Sequence, residues 1–146
     1  MPTDLADPLV LADSLRAPLM RVSRRLRQEA QRAGVSTLDA VVLGHIKRYP
    51  GIGVCDLADA EQTSRPTMSS HVKRLEAAGW ITRAGHADDG RRSGLAVTDQ
   101  GATQLDLIRQ HRNDWLAARL ARLDPEARAS LAAAQGPLLQ LLSLEP

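Results

Sequence analysis

Phenylalanine is absent from this chain of 146 residues, tyrosine occurs once and tryptophan twice. Strands draw on aromatic and β-branched side chains, and here 8 Val and 4 Ile stand against 22 Leu and 22 Ala, both strong helix formers. The composition predicts a mostly α protein, with α+β character only through a minor hairpin. A single cysteine, Cys55, can form no internal disulfide, which excludes a disulfide-stapled scaffold. His45, His71, His86 and His111 are scattered without ligand spacing on a shared helix face, so no metal and no cofactor is expected. No GxSxG elbow, Walker loop or HExxH helix occurs, so the chain is not expected to be an enzyme. No uncharged apolar run approaches the ~18 residues of a transmembrane helix. The opening MPTDLADPLV carries acids where a signal peptide has a basic region, and a cytoplasmic location is the default expectation.

What is present is helical punctuation. Asp7-Pro8 is an N-cap followed by a first-turn proline, and Leu11, Leu15, Leu19, Val22 and Leu26 form one apolar stripe. The spacing predicts a helix over 7–33, kinked or split at Pro18 and ended by Gly34. Arg16, Arg21, Arg24, Arg25 and Arg27 occupy its other face. Ser36 or Thr37 caps a second helix to about Arg48, with Leu38, Val41, Val42 and Ile46 apolar. Towards the C-terminus, Thr98 caps a helix running to about Leu123. Asp124-Pro125-Glu126 starts another, which Gly136-Pro137 should bend.

Residues 54–98 are the informative part of the sequence. A short helix over Val54–Ala60 leads through the turn Glu61-Gln62-Thr63 to a helix capped by Ser64 and stopped by Gly79. Trp80–Arg83 and Ser93–Thr98 read as strands around a hairpin tip, Ala87–Arg92. Two short helices followed by a β-hairpin make a winged helix-turn-helix.

At about 100° per residue, Met68, Val72, Leu75 and Gly79 share the packed face of the second of these helices. Pro66, Thr67, Ser70, Lys73 and Arg74 project away, flanked by Arg65 and Ser69. Hydroxyls and cations without an acid suit phosphate oxygens and base edges in a major groove. His71 falls at the edge of the packed face and reads as a semi-buried structural residue. Residues 64–98 hold six cations against three acids, a net +3 where the whole chain is +2.

The run DLADAEQTSRPTMSSHVKRLEAAGWITR, followed by DGRRSGLAVTDQG, resembles the MarR family of bacterial transcriptional regulators. The resemblance implies one domain over 1–146, with a winged helix-turn-helix module over 35–98 and dimerisation helices over 1–34 and 99–146. It implies a homodimer binding double-stranded DNA at a pseudo-palindromic operator, most often as a repressor released by a small-molecule ligand. Ser64, Arg65, Pro66, Thr67, Ser69, Ser70, Lys73 and Arg74 would then belong to the recognition helix. Arg91 matches the wing arginine that enters the minor groove, Asp89 the aspartate that braces it, and Arg92 would touch phosphate. Arg21, His45 and Trp115 are candidate ligand-pocket residues. Two alternatives stay open: a thiol-based redox sensor through Cys55, and a winged helix used as a protein-interaction module.

Overall fold

The computed structural model describes residues 6–85 and 93–144. Its elements are α1 (Pro8–Gln28), a 3-10 turn (Glu29–Ala33), α2 (Thr37–Arg48), α3 (Val54–Ala60), α4 (Arg65–Ala77), β1 (Ile81–Gly85), β2 (Ser93–Val97), α5 (Asp99–Leu120) and α6 (Pro125–Ser143). The strands form one antiparallel pair in register from Ile81↔Val97 to Gly85↔Ser93. The mostly helical composition and the minor hairpin are both realised.

The caps account for the element starts. Asp7, Ser36, Ser64 and Asp124 each accept a backbone N–H two or three residues on. Each thereby satisfies a donor that the first helical turn leaves without a partner. Thr98 does this for α5, where its Oγ1 accepts from Gly101 N–H at 3.1 Å. Its hydroxyl also donates to the Gly79 carbonyl at 2.6 Å, tying the end of the hairpin to the end of α4. Gly79 holds φ at +79°, which closes α4 with the Trp80 N–H donating back to the Leu75 carbonyl at 3.0 Å.

The first expected helix is shorter than its sequence pattern. After Gln28 the chain tightens into the 3-10 turn, a common helix ending. There Glu29 is buried and ion-paired to Arg25 (2.7 Å) and Arg32 (3.1 Å). The helix runs unbroken through Pro18, and α6 through Pro137. Each proline removes one helical donor, and the carbonyls left over belong to exposed Ser14 and Ala133, open to water. On α2 the buried face is Ala40, Val42, Leu43 and Ile46, while Leu38 is 64% exposed. The expected stripe on α2 is rotated because that helix serves two clusters.

The first cluster joins Val42, Leu43 and Ile46 to Leu57 and Ala58 of α3, Met68, Val72 and Leu75 of α4, Ile81 of β1 and Leu95 of β2. The second joins Ala30, Ala33, Val35, Ala40 and Ile108. Arg112 of α5 donates from Nε to the Leu26 carbonyl (3.0 Å), and the Gln104 amide donates to the Ala33 carbonyl. Two compact units result, residues up to Arg112 and residues from Asn113.

Candidate nucleic-acid interface

The outer face of α4 is built by its inner one. Met68, Val72 and Leu75 are fully buried at three- and four-residue spacing, which fixes the rotation of the helix. Ser64, Arg65, Pro66, Thr67, Ser70, Lys73 and Arg74 are exposed as a consequence, and Ser69 is half-buried at the flank. This is the division the sequence predicts. Around the helix start, the Ser64 hydroxyl donates to Thr67 Oγ1 (2.8 Å) and its oxygen accepts the Thr67 N–H (3.2 Å). The Ser70 hydroxyl donates to the Pro66 carbonyl at 3.1 Å. Small side chains bonded to their own backbone keep the N-terminal turn slim, so a polyanion can approach its amide dipoles.

The cations of this surface are of two kinds. Arg65 and Lys73 have no ion pair among the described residues. Arg83 of β1 donates from Nε to Glu76 Oε1 at 2.8 Å. Arg74 lies over Asp39 of α2, donating from Nε to Oδ2 and from Nη2 to Oδ1, both at 3.2 Å. His71 is buried beside it, with Nδ1 at 2.5 Å from Asp39 Oδ1 and 2.7 Å from Arg74 Nη2. The structural reading of His71 thus agrees with its position. Burial by itself would raise the Asp39 carboxyl. Hydrogen bonds from Arg74, His71 and Ser36, with the charge of Arg74, outweigh it and hold the group below the ordinary aspartate value.

Asp39 is the residue that sequence reasoning missed. Ser36-Thr37-Leu38-Asp39 reads as a helix start, and Asp39 N–H does donate to Ser36 Oγ at 3.1 Å. Nothing local shows that the carboxylate turns to a helix 32 residues away.

The hairpin that would carry the wing is anchored at its base. Gly51 N–H donates to the Leu95 carbonyl (2.8 Å) and Leu95 N–H to the Ile52 carbonyl (2.9 Å). The predicted wing residues Asp89, Arg91 and Arg92 lie outside the described residues, as does His86.

Two of the three candidate ligand residues line hollows. Arg21 lines a hollow of about 890 Å³ along α1, with Arg16, Met20, Arg24, Arg27 and Thr37. His45 lines a different hollow of about 600 Å³, where Nδ1 sits 3.1 Å from Glu61 Oε1 and the ring tilts against Tyr49. Trp115 belongs to the second unit and carries the Arg119 guanidinium 4.0 Å above its ring. Cys55 is an exposed free thiol on the first turn of α3. Among the described residues no three His, Cys, Asp or Glu side chains cluster as a metal site, and no helix is long and apolar enough to cross a membrane.

Comparison with known proteins decides the family. Residues 33–92, beginning at the last residue of the 3-10 turn, match the model of the MarR family. An uncharacterized helix-turn-helix transcriptional regulator of Mycobacterium bovis is 32% identical over 136 residues, 93% of this chain and 95% of its own. The chain belongs to the MarR family. It is a winged-helix transcriptional regulator, and the likeness extends to solved structures. A transcriptional regulator of Pseudomonas aeruginosa superposes with a TM-score of 0.74 at 35% identity, covering 99% of this chain and 100% of the other. A mutant of Staphylococcus aureus MepR bound to an oligodeoxyribonucleotide has a TM-score of 0.68 at 20% identity, over 90% and 97% of the two chains, and supports the MarR fold alone.

Proposed function

We propose that this protein is a sequence-specific double-stranded DNA-binding repressor that acts as a homodimer in the cytoplasm and is released by a small-molecule ligand. The observation that carries the DNA-binding part is the outer face of α4. Hydroxyls and the cations Arg65, Lys73 and Arg74 stand exposed there, over a helix whose rotation is fixed by Met68, Val72 and Leu75. Side chains from Ser64 to Arg74 would enter the major groove, with Arg91 in the minor groove, Asp89 bracing it and Arg92 on phosphate.

The helices outside the module support the homodimer. No described residue of α1 is buried, and Leu11, Leu15, Leu19 and Val22 are 38–44% exposed along one stripe. On α6, Leu131, Leu138, Leu141 and Leu142 are exposed as well. Contiguous apolar faces of this kind mark association surfaces. Two-fold symmetry would set the two α4 helices about 34 Å apart, one turn of DNA, and so requires a pseudo-palindromic operator. A ligand that prefers a different spacing would lower DNA affinity, with a coupling of about 1–3 kcal/mol. Arg21, in the hollow along α1, and His45, in its own hollow, are the ligand candidates with open volume beside them.

Selection of bound duplexes from a random pool, followed by titration of salt, tests the reading. A two-fold related consensus is expected, with log affinity falling against log salt at about −0.9 per phosphate contact. Absence of binding to any duplex at low ionic strength, or tight binding of a monomer to a single half-site, defeats it.

A further inference from the structure

We infer that Asp39 is a positioning residue for DNA recognition: its carboxylate, reaching across from α2, holds the Nε–Nη2 edge of the Arg74 guanidinium so that the Nη1–Nη2 edge is presented on the outer face of α4. The inference rests on the reading of α4 as the recognition helix, and adds to it a division of labour among the cations of that helix.

The geometry is a fork on a buried carboxylate. Nε and Nη2 of Arg74 face Oδ2 and Oδ1 at equal distances of 3.2 Å, and the Arg74 side chain is 55% exposed where that of Asp39 is 12% exposed. The N–H groups on Nη1 and the second N–H of Nη2 take no part in this fork, and one from each nitrogen makes up the remaining, end-on edge. An arginine held by one edge keeps a planar pair of donors in a set direction, which is what bidentate contact with a base edge requires.

His71, one helical turn before Arg74, fixes the carboxylate from below. Its Nδ1 lies within hydrogen-bond distance of both Asp39 Oδ1 and Arg74 Nη2, and one ring nitrogen cannot donate to the first and accept from the second together. An ionised Asp39 favours the tautomer with hydrogen on Nδ1, which donates to Oδ1 and restrains rotation of the carboxylate. The low proton affinity of Asp39 agrees with an ionised group at this position.

Stability alone is a weak reason for this arrangement. Burying a carboxylate against its partner gains little over an apolar pair of the same size, so orientation is the property the pair supplies. Its carboxylate also offsets the Arg74 charge and makes Arg74 a poor general attractor of phosphate. Arg65 and Lys73, without such a partner among the described residues, are suited to that sequence-blind task. Sequence preference is therefore assigned to Arg74 as directed by Asp39, and bulk electrostatic affinity to Arg65 and Lys73.

The test compares a duplex selected by the wild type from random DNA with a scrambled duplex of the same composition. Binding is followed by fluorescence anisotropy over a salt series, with thermal melts in parallel. Asp39→Asn should lower the selected-to-scrambled affinity ratio about tenfold, the scale of one lost bidentate contact, and should not flatten the salt slope, because Arg74 loses the carboxylate that offsets its charge. Arg74→Gln should lower the ratio similarly, and the double variant no further than either single one. Asp39→Glu keeps the charge but displaces it by one methylene, and should also lose the ratio, which preserves the test where Asp39→Asn folds poorly. Discrimination equal to wild type in the Asp39 variants, or strictly additive losses, overturns the inference while DNA binding stands. So does a parallel loss on both duplexes that follows the loss of melting temperature. A wild type that binds no duplex overturns the DNA-binding reading and this inference with it.

Discussion

Gly94→Ala probes the joint between the hairpin and the helical body. A β-carbon at Gly94 would stand 2.7 Å from the Gly51 carbonyl oxygen and 2.8 Å from the Gly51 α-carbon. Both obstacles are backbone, so no side-chain rotation relieves them and β2 must lift. Lifting strains the two hydrogen bonds beside it, Gly51 N–H to Leu95 and Leu95 N–H to Ile52. Overpacking of this kind costs about 1–3 kcal/mol and each weakened bond up to about 1 kcal/mol, so a loss of about 2–4 kcal/mol is expected. Melting entropy of about 2.1 cal/mol/K per residue, over 146 residues, is about 0.3 kcal/mol/K. The melting temperature should therefore fall by about 7–13 °C. Gly44→Ala is the counterpart. Gly44 lies inside α2 with nothing within 4 Å of its would-be β-carbon, and alanine there should add about 0.5–1 kcal/mol, or about 2–3 °C. Both melts are read by circular dichroism at one fixed protein concentration, since the melting of an associating chain depends on concentration. A Gly94→Ala melt within about 2 °C of wild type, or a fall for Gly44→Ala matching that for Gly94→Ala, would refute the reasoning.

Ser64→Ala removes the cap of α4 and should cost about 1 kcal/mol in urea-midpoint stability, with weaker operator binding because the helix start frays. Asp39 has a lowered folded pKa, so its contribution is complete above the unfolded aspartate value of about 4 and disappears as pH falls through the folded value. The stability gap between wild type and Asp39→Asn in urea titrations should be constant near neutral pH and narrow below about pH 4; a gap that widens in acid contradicts the assignment. Leu15→Arg, placed on the exposed stripe of α1, should shift the light-scattering mass from dimer to monomer while circular dichroism keeps its helical signal; an unchanged mass places the interface elsewhere.

The helices, their caps and the winged order were legible in the sequence because each depends on neighbours a few residues apart. Ser64 accepts from Thr67, Asp124 from Ala127, and Thr98 from Gly101, all over three residues. The same locality gave the inner and outer faces of α4, since a helix buried on one side reports its rotation in its own apolar spacing.

Tertiary structure decided what lies between elements. Leu38 is exposed and Leu43 buried because α2 packs on two clusters at once, and no periodicity within α2 encodes where its neighbours sit. Asp39 looks like a residue of a helix start, and only the packing of α2 against α4 turns its carboxylate onto His71 and Arg74, 32 and 35 residues on. Capping energies act over one turn of chain and can be read along it, whereas a buried charge finds its partner only once hydrophobic burial has fixed which faces meet.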